Sequence, residues 1–230
     1  MLGVFVNVFT VLLGGSVGLL CKRGIPKHLT DAVMLGIGLC TLYIGIDGAL
    51  SGENVLIVIA AMVLGAIVGT GLDIDGAINR LGNRVERRFR RGEGEKTSLA
   101  EGFVTASLLF CVGSMTIVGS LNAGISGDNE MLFTKSMLDL ISSAMLSASL
   151  GAGVLLAAVF VLVFQGGIVL LSSLIAPVLT SAAIAEMTCA GSLLIIALGF
   201  NLMGIAKIKV ANYLPAILFA PLLVWILSLF

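Results

Sequence analysis

From Leu2 to the C-terminus the chain is a succession of apolar runs of roughly the length a helix needs to cross hydrocarbon, and its charges fall mostly in the breaks between them. Lipid offers no water to peptide groups, so such runs fold as helices, which close their own backbone hydrogen bonds. Composition agrees, since 58% of the residues are hydrophobic and 11% are charged, against roughly a quarter charged in soluble domains. The fold class is therefore all-α and polytopic, one transmembrane domain over residues 1–230.

Charges and turn residues place eight spans near 2–20, 30–50, 54–71, 101–121, 132–149, 153–175, 183–205 and 211–229. Loops 21–29, 72–100 and 206–210 carry Lys or Arg, and they alternate with loops 51–53, 122–131 and 176–182, which carry neither. The positive-inside bias then places both termini outside the cytoplasm. The first run leads into Cys21-Lys22-Arg23 rather than a small-residue cleavage site, so it reads as a retained span. The fifth span is the least apolar, holding Lys135 and Asp139; if it were re-entrant, the count would fall to seven.

Within 72–100, Ile74, Ile78, Leu81, Val85 and Phe89 recur every three or four residues, which is one face of a helix. Arg80, Arg84, Arg87, Arg88, Arg90 and Arg91 occupy the remaining surface. The segment reads as a cytoplasmic basic amphipathic helix lying on anionic headgroups, or as a solvated charge run that only sets topology. Thirteen basic and thirteen acidic residues cancel, and no basic surface tracks a nucleic-acid backbone, so nucleic acid is not an expected partner.

A faint repeat joins the two ends of the chain. Leu13-Gly14-Gly15-Ser16-Val17 resembles Gln165-Gly166-Gly167-Ile168-Val169 in its Gly-Gly core, and Gly45-Ile46-Asp47 resembles Gly199-Phe200-Asn201. Spans one to three thus correspond to spans six to eight, and the odd offset of five spans inverts them, as in many secondary transporters. Similarity between any two Leu- and Gly-rich helices is the competing explanation.

Polar groups in hydrocarbon are costly unless they face a bundle interior or a wet cavity, which makes them candidates for function. On span five, Lys135, Asp139, Ser143 and Ser147 follow at i+4 and share a face; Lys135 can snorkel toward the outer boundary, or it and Asp139 form an internal pair that merely satisfies itself. Span four carries Thr105, Ser107, Ser114 and Thr116 around Gly113, where a discontinuous helix would expose backbone groups to an ion. Asn7, Gln165 and Asn201 complete the candidate ion-binding set, while Asp47 and Glu186 lie where they could reach water at span ends. Gly14 with Gly18, and Gly65 with Gly69, form small-residue faces for close helix packing, within a protomer or across a homodimer. Cys21, Cys40, Cys111 and Cys189 have neither CxxC spacing nor nearby histidines, and read as packing residues rather than a metal site.

The string Glu101-Gly102-Phe103-Val104-Thr105-Ala106-Ser107, continuing through Cys111-Val112-Gly113, together with Lys135-Ser136, Leu138-Asp139, Gly199-Phe200-Asn201-Leu202 and Asn212-Tyr213-Leu214-Pro215-Ala216, resembles the bacterial YqgA-like family of integral membrane proteins. Ser114 stands where that family is expected to carry proline. The resemblance implies a small polytopic protein of the bacterial inner membrane and no assigned substrate or reaction.

These readings lead to an expected transporter or ion-conducting protein in which spans four and five form a mid-membrane polar site for a small cation or proton-coupled solute. Asp139 is its charged element. With no HExxH, no nucleophile elbow and only one histidine, His28, neither an enzyme nor a cofactor is expected. Expected partners are membrane lipids, a small ion or solute, and a second copy of the chain. A structural or signalling protein with a lipid-sensing basic helix is the alternative.

Overall fold

The computed structural model describes residues 1–21, 27–89, 99–177 and 179–228, without the side chains of 27–31, 33, 81–83, 85–89 and 114. Ten α-helices run through them: α1 (Leu2–Cys21), α2 (Lys27–Ala49), α3 (Val55–Gly71), α4 (Ile74–Phe89), α5 (Leu99–Cys111), α6 (Ser114–Ile125), α7 (Glu130–Leu150), α8 (Gly153–Ile175), α9 (Ser181–Leu202) and α10 (Ala216–Leu227). A short 3₁₀ turn, Val210–Tyr213, precedes α10. Among the described residues there is no strand.

The helices α1, α8 and α9, and the unit Val210–Leu227, are each long and apolar enough to cross a membrane. Two bent pairs raise the number to six: α3 with α4, turned by 49°, and α5 with α6, turned by 61°. The amphipathic segment is helical from Ile74 to Phe89 as its spacing predicts, and residues 90–98 lie outside the described residues. At 21 residues α7 is one unbroken helix of about 32 Å, the length of a span, although it is less apolar than the helices named above. Past its exposed first residue, Glu130, it keeps its charges inside: Lys135 and Asp139 are buried, as are Ser143 and Ser147, whereas Met137, Leu138, Ile141 and Met145 are exposed. Such an inside-out helix suits a solvent of acyl chains, where apolar side chains lose nothing by facing outward.

The central helix is α9, with 72% of its span buried against 33% for α1. It lies along α2 and carries α10, while α1 lies along α7, and α8 packs on both α5 and α6. Glycines let these neighbours approach. A Cβ on Gly14 would meet the Leu140 carbonyl and the Ser143 hydroxyl, and one on Gly18 would meet the Ala144 carbonyl. Gly65 and Gly69 likewise face Ala216 and the Asn212 carbonyl. Both small-residue faces are thus occupied within the chain, the first of the two arrangements expected for them.

The fourth expected span is broken. Gly113 sits between α5 and α6 at φ 131° and ψ 143°, in a region that residues with a Cβ avoid. Glycine alone suffices for this break, with Ser114 in place of the proline that the resemblance implies.

Candidate ion-binding site

The polar face of α7 is turned toward α1. There the Lys135 ammonium reaches both carboxylate oxygens of Asp139, at 2.8 and 2.7 Å. Lys135 is 6% and Asp139 5% exposed, so the lysine does not snorkel but folds inward onto its i+4 partner. Helical spacing accounts for the encounter. What holds it in place is burial, because a charge pair removed from water survives only if each charge neutralises the other.

From α1, Asn7 stands beside the Asp139 carboxylate. Its Nδ2 donates to Gln165 Oε1 of α8 at 3.2 Å. Both amides are fully buried, and the bond joins residues 158 positions apart. It leaves Asn7 Oδ1 and Gln165 Nε2 without partners. Turning either amide over would still leave polar atoms unpaired, since two amides sharing one bond cannot satisfy each other. An unmet donor and acceptor next to a buried ion pair form a polar centre with unfilled hydrogen-bonding capacity.

A cavity of about 120 Å³ reaches Asp139 from the side of α2 and α5. Thr41, Leu109, Phe110 and Ser142 contribute to its wall. It therefore brings the carboxylate to the end of α5 beside the break. At that break the Thr116 hydroxyl donates to the Phe110 carbonyl at 3.0 Å, tying the start of α6 back to α5. Thr116 thus covers a carbonyl that the break would otherwise open.

Of the residues expected at the site, Asp139, Asn7 and Gln165 come together. Ser143 lies one turn further along α7, and its hydroxyl donates to the Leu140 carbonyl of its own helix. Ser107 lines a separate apolar cavity of about 100 Å³ with Phe103, Phe160 and Phe164. Thr105 and Asn201 line a third cavity, at the end of α5 nearer α4. There the Asn201 side chain is already engaged with the Ile208 backbone, donating to its carbonyl and accepting from its N–H, each at 2.8 Å. The Ser114 side chain lies outside the described residues. Lys135 belongs to the centre as the i+4 partner of Asp139, the pairing that its spacing offered beside snorkelling.

Glu186 is a second correction. Expected to reach water, it is 1% exposed, and its Oε1 accepts from the N–H groups of Glu53 and Asn54 at 2.9 and 2.6 Å. The carboxylate satisfies backbone donors at the start of α3, where no preceding turn can do so. Asn54 caps the same helix by accepting from Leu56 N–H at 3.1 Å. The other oxygen, Glu186 Oε2, has no partner. Cys111 and Cys189 are buried and Cys21 and Cys40 exposed, all as free thiols.

The uncharacterized membrane protein YdfK of Bacillus subtilis is 30% identical over 234 aligned residues, covering 100% of this chain and 98% of its own. The uncharacterized protein YqgA of Escherichia coli is 31% identical, with 95% and 94% covered. No solved structure matches. The model of the family described as "Protein of unknown function (DUF554)" matches residues 2–225, and the chain belongs to that family of membrane proteins.

Proposed function

We propose that this chain is a small transporter in which Asp139 binds a small cation in exchange for a proton. The observation that carries the reading is the buried Lys135–Asp139 pair, set beside unpartnered amide atoms of α1 and α8. As it stands the pair is neutral. A cation arriving at Asp139 must displace the ammonium, and in a low dielectric the lone Lys135 charge would be costly. Loss of one proton from Lys135 removes that cost, so cation binding and proton release go together. Asn7 and Gln165 supply the hydrogen bonds that orient the carboxylate during the exchange.

The inverted repeat belongs to the same proposal. It is supported by neighbours in the fold, because α2 lies along α9, α3 along α10, and α1 touches α8, which are the three pairs that the repeat relates. With α2 and α7 counted as spans the number is eight, both termini face outward, and the α4 side is cytoplasmic. The homodimer is part of this reading too, with an interface other than the four glycines.

Proteoliposome flux tests it. Radiolabelled sodium or rubidium uptake, followed with a pH-sensitive dye, should be accompanied by proton movement in the opposite direction. Asp139→Asn should abolish both while the protein stays folded in the membrane. Uptake that survives in Asp139→Asn would reduce the pair to a structural element.

A further inference from the structure

The third cavity, of about 200 Å³, opens between α4, α5, α9 and the segment leading into the 3₁₀ turn. Two carboxylates line it, Asp75 of α4 and Glu101 of α5, and among the described residues that line it there is no Lys or Arg. Deeper lies Thr105, fully buried, with an Oγ1 that has no hydrogen-bond partner. The amide donors at the site are already used. Asn79 Nδ2 is bonded to Asp75, at 2.9 Å to its carbonyl and 3.0 Å to its Oδ2, and Asn201 Nδ2 is bonded to the Ile208 carbonyl. The residues lining the cavity thus leave mainly acceptors, with negative charge among them: the Glu101 carboxylate, the second oxygen of Asp75, the Asn79 side-chain carbonyl and the unpartnered Thr105 hydroxyl.

We infer that this cavity binds a primary ammonium group. A ligand that fits acceptors of this kind must bring positive charge and several N–H donors, and a primary ammonium brings three on one atom. Among the described residues no cluster of three or more His, Cys, Asp or Glu side chains is close enough to hold a metal ion. Apolar walls from Ile78, Val104 and Leu198 offer room to a carbon-bearing cation that a bare metal ion would not use. The same chemistry is carried by a free amine and by an ethanolamine lipid headgroup, and the neighbouring amphipathic α4 brings the cavity within reach of both.

The test is equilibrium binding to the full-length protein in detergent, which requires no flux and so stands apart from the Asp139 reading. Ethylammonium is compared with tetramethylammonium, which has the same charge and no N–H, at matched ionic strength. Native mass spectrometry compares retained phosphatidylethanolamine with phosphatidylcholine in the same way. Either primary ammonium should be preferred over its quaternary counterpart by about tenfold, and Glu101→Gln should weaken it by a similar factor. Thr105→Val, which keeps the shape and removes the hydroxyl, should weaken it by about threefold to tenfold. A preference for ethylammonium assigns a free amine, and one for the lipid alone assigns a headgroup. Absence of preference in both arms overturns the inference, as does wild-type binding in Glu101→Gln or Thr105→Val variants that keep the wild-type melting temperature. If Thr105→Val fails to fold, Glu101→Gln, whose side chain is exposed, carries the decision together with Asp75→Asn.

Discussion

Asp139 and Glu186 are both acids buried in the same bundle, 5% and 1% exposed, and they meet that burial in opposite ways. Asp139 is balanced by a side chain: the Lys135 ammonium covers both of its oxygens, and the neighbouring amides are left with unused bonding capacity. Glu186 is balanced by the backbone, with one oxygen holding the two N–H groups that open α3. A partner that is itself titratable and on a flexible stem can be exchanged for an ion. Peptide N–H groups cannot leave, so a carboxylate bonded to them acts as a staple. Burial of an ionisable group in a membrane bundle is therefore a weak guide to function until its partner is known.

Breaking the pair by Lys135→Met should have the largest effect, about 3–5 kcal/mol of stability, because it strands a buried carboxylate. The double variant Lys135→Met, Asp139→Leu should recover most of that loss in detergent unfolding titrations, since an apolar replacement of a buried pair is often neutral. A double variant as unstable as the single one would make this pair a staple like Glu186 and dissolve the contrast.

Glu186→Ala comes next. Leaving two backbone donors unmet should cost about 2 kcal/mol, read in the same titration, with flux per folded molecule unchanged. Loss of flux at wild-type stability would instead move Glu186 into the pathway.

The smallest effect concerns a third carboxylate, Asp73, which joins α3 to α4 at the surface. Its φ of 49° is unusual for a residue with a side chain, and its Oδ2 accepts from Arg80 at 2.8 Å. The hydrogen bond from the Arg80 guanidinium holds its carboxyl below the usual range. A lowered folded pKa means that the stabilisation is fully present above the ordinary Asp value of about 3.9 and is lost as pH falls below it through the folded value. Both partners are half-exposed or more, so salt screens the contact and the effect is minor. Arg80→Gln should slightly increase proteolysis near residue 73 at neutral pH, and the difference from wild type should vanish in acid. A large loss of stability would show that surface and buried carboxylates are not separated by their surroundings as argued.

Much of the candidate site could be read locally. The i+4 series Lys135, Asp139, Ser143 and Ser147 places four polar groups on one helical face whatever surrounds it, and the four- and three-residue spacing from Ile74 to Phe89 predicts α4. Gly113 marked the break in the fourth span. The Asn7–Gln165 bond was beyond reach, because nothing in either segment states that two helices 158 residues apart will bring those positions level. Thr105 and Asn201 look equivalent to Asn7 as isolated intramembrane polar residues, yet they line a different cavity.

The sequence by itself determined the class, the helices and which face of each is polar, because hydrocarbon forces every peptide group into a helical bond and period 3.6 then assigns the faces. Only the tertiary structure decided partners. Apolar helices in lipid gain nothing by choosing one apolar neighbour over another, so their pairing rests on close approach of backbones and on a few polar contacts. Gly14 and Gly18 could equally have met a second chain. It is the fit of those glycines against the Leu140 and Ala144 carbonyls that seats α1 on α7 and brings Asn7 to Asp139.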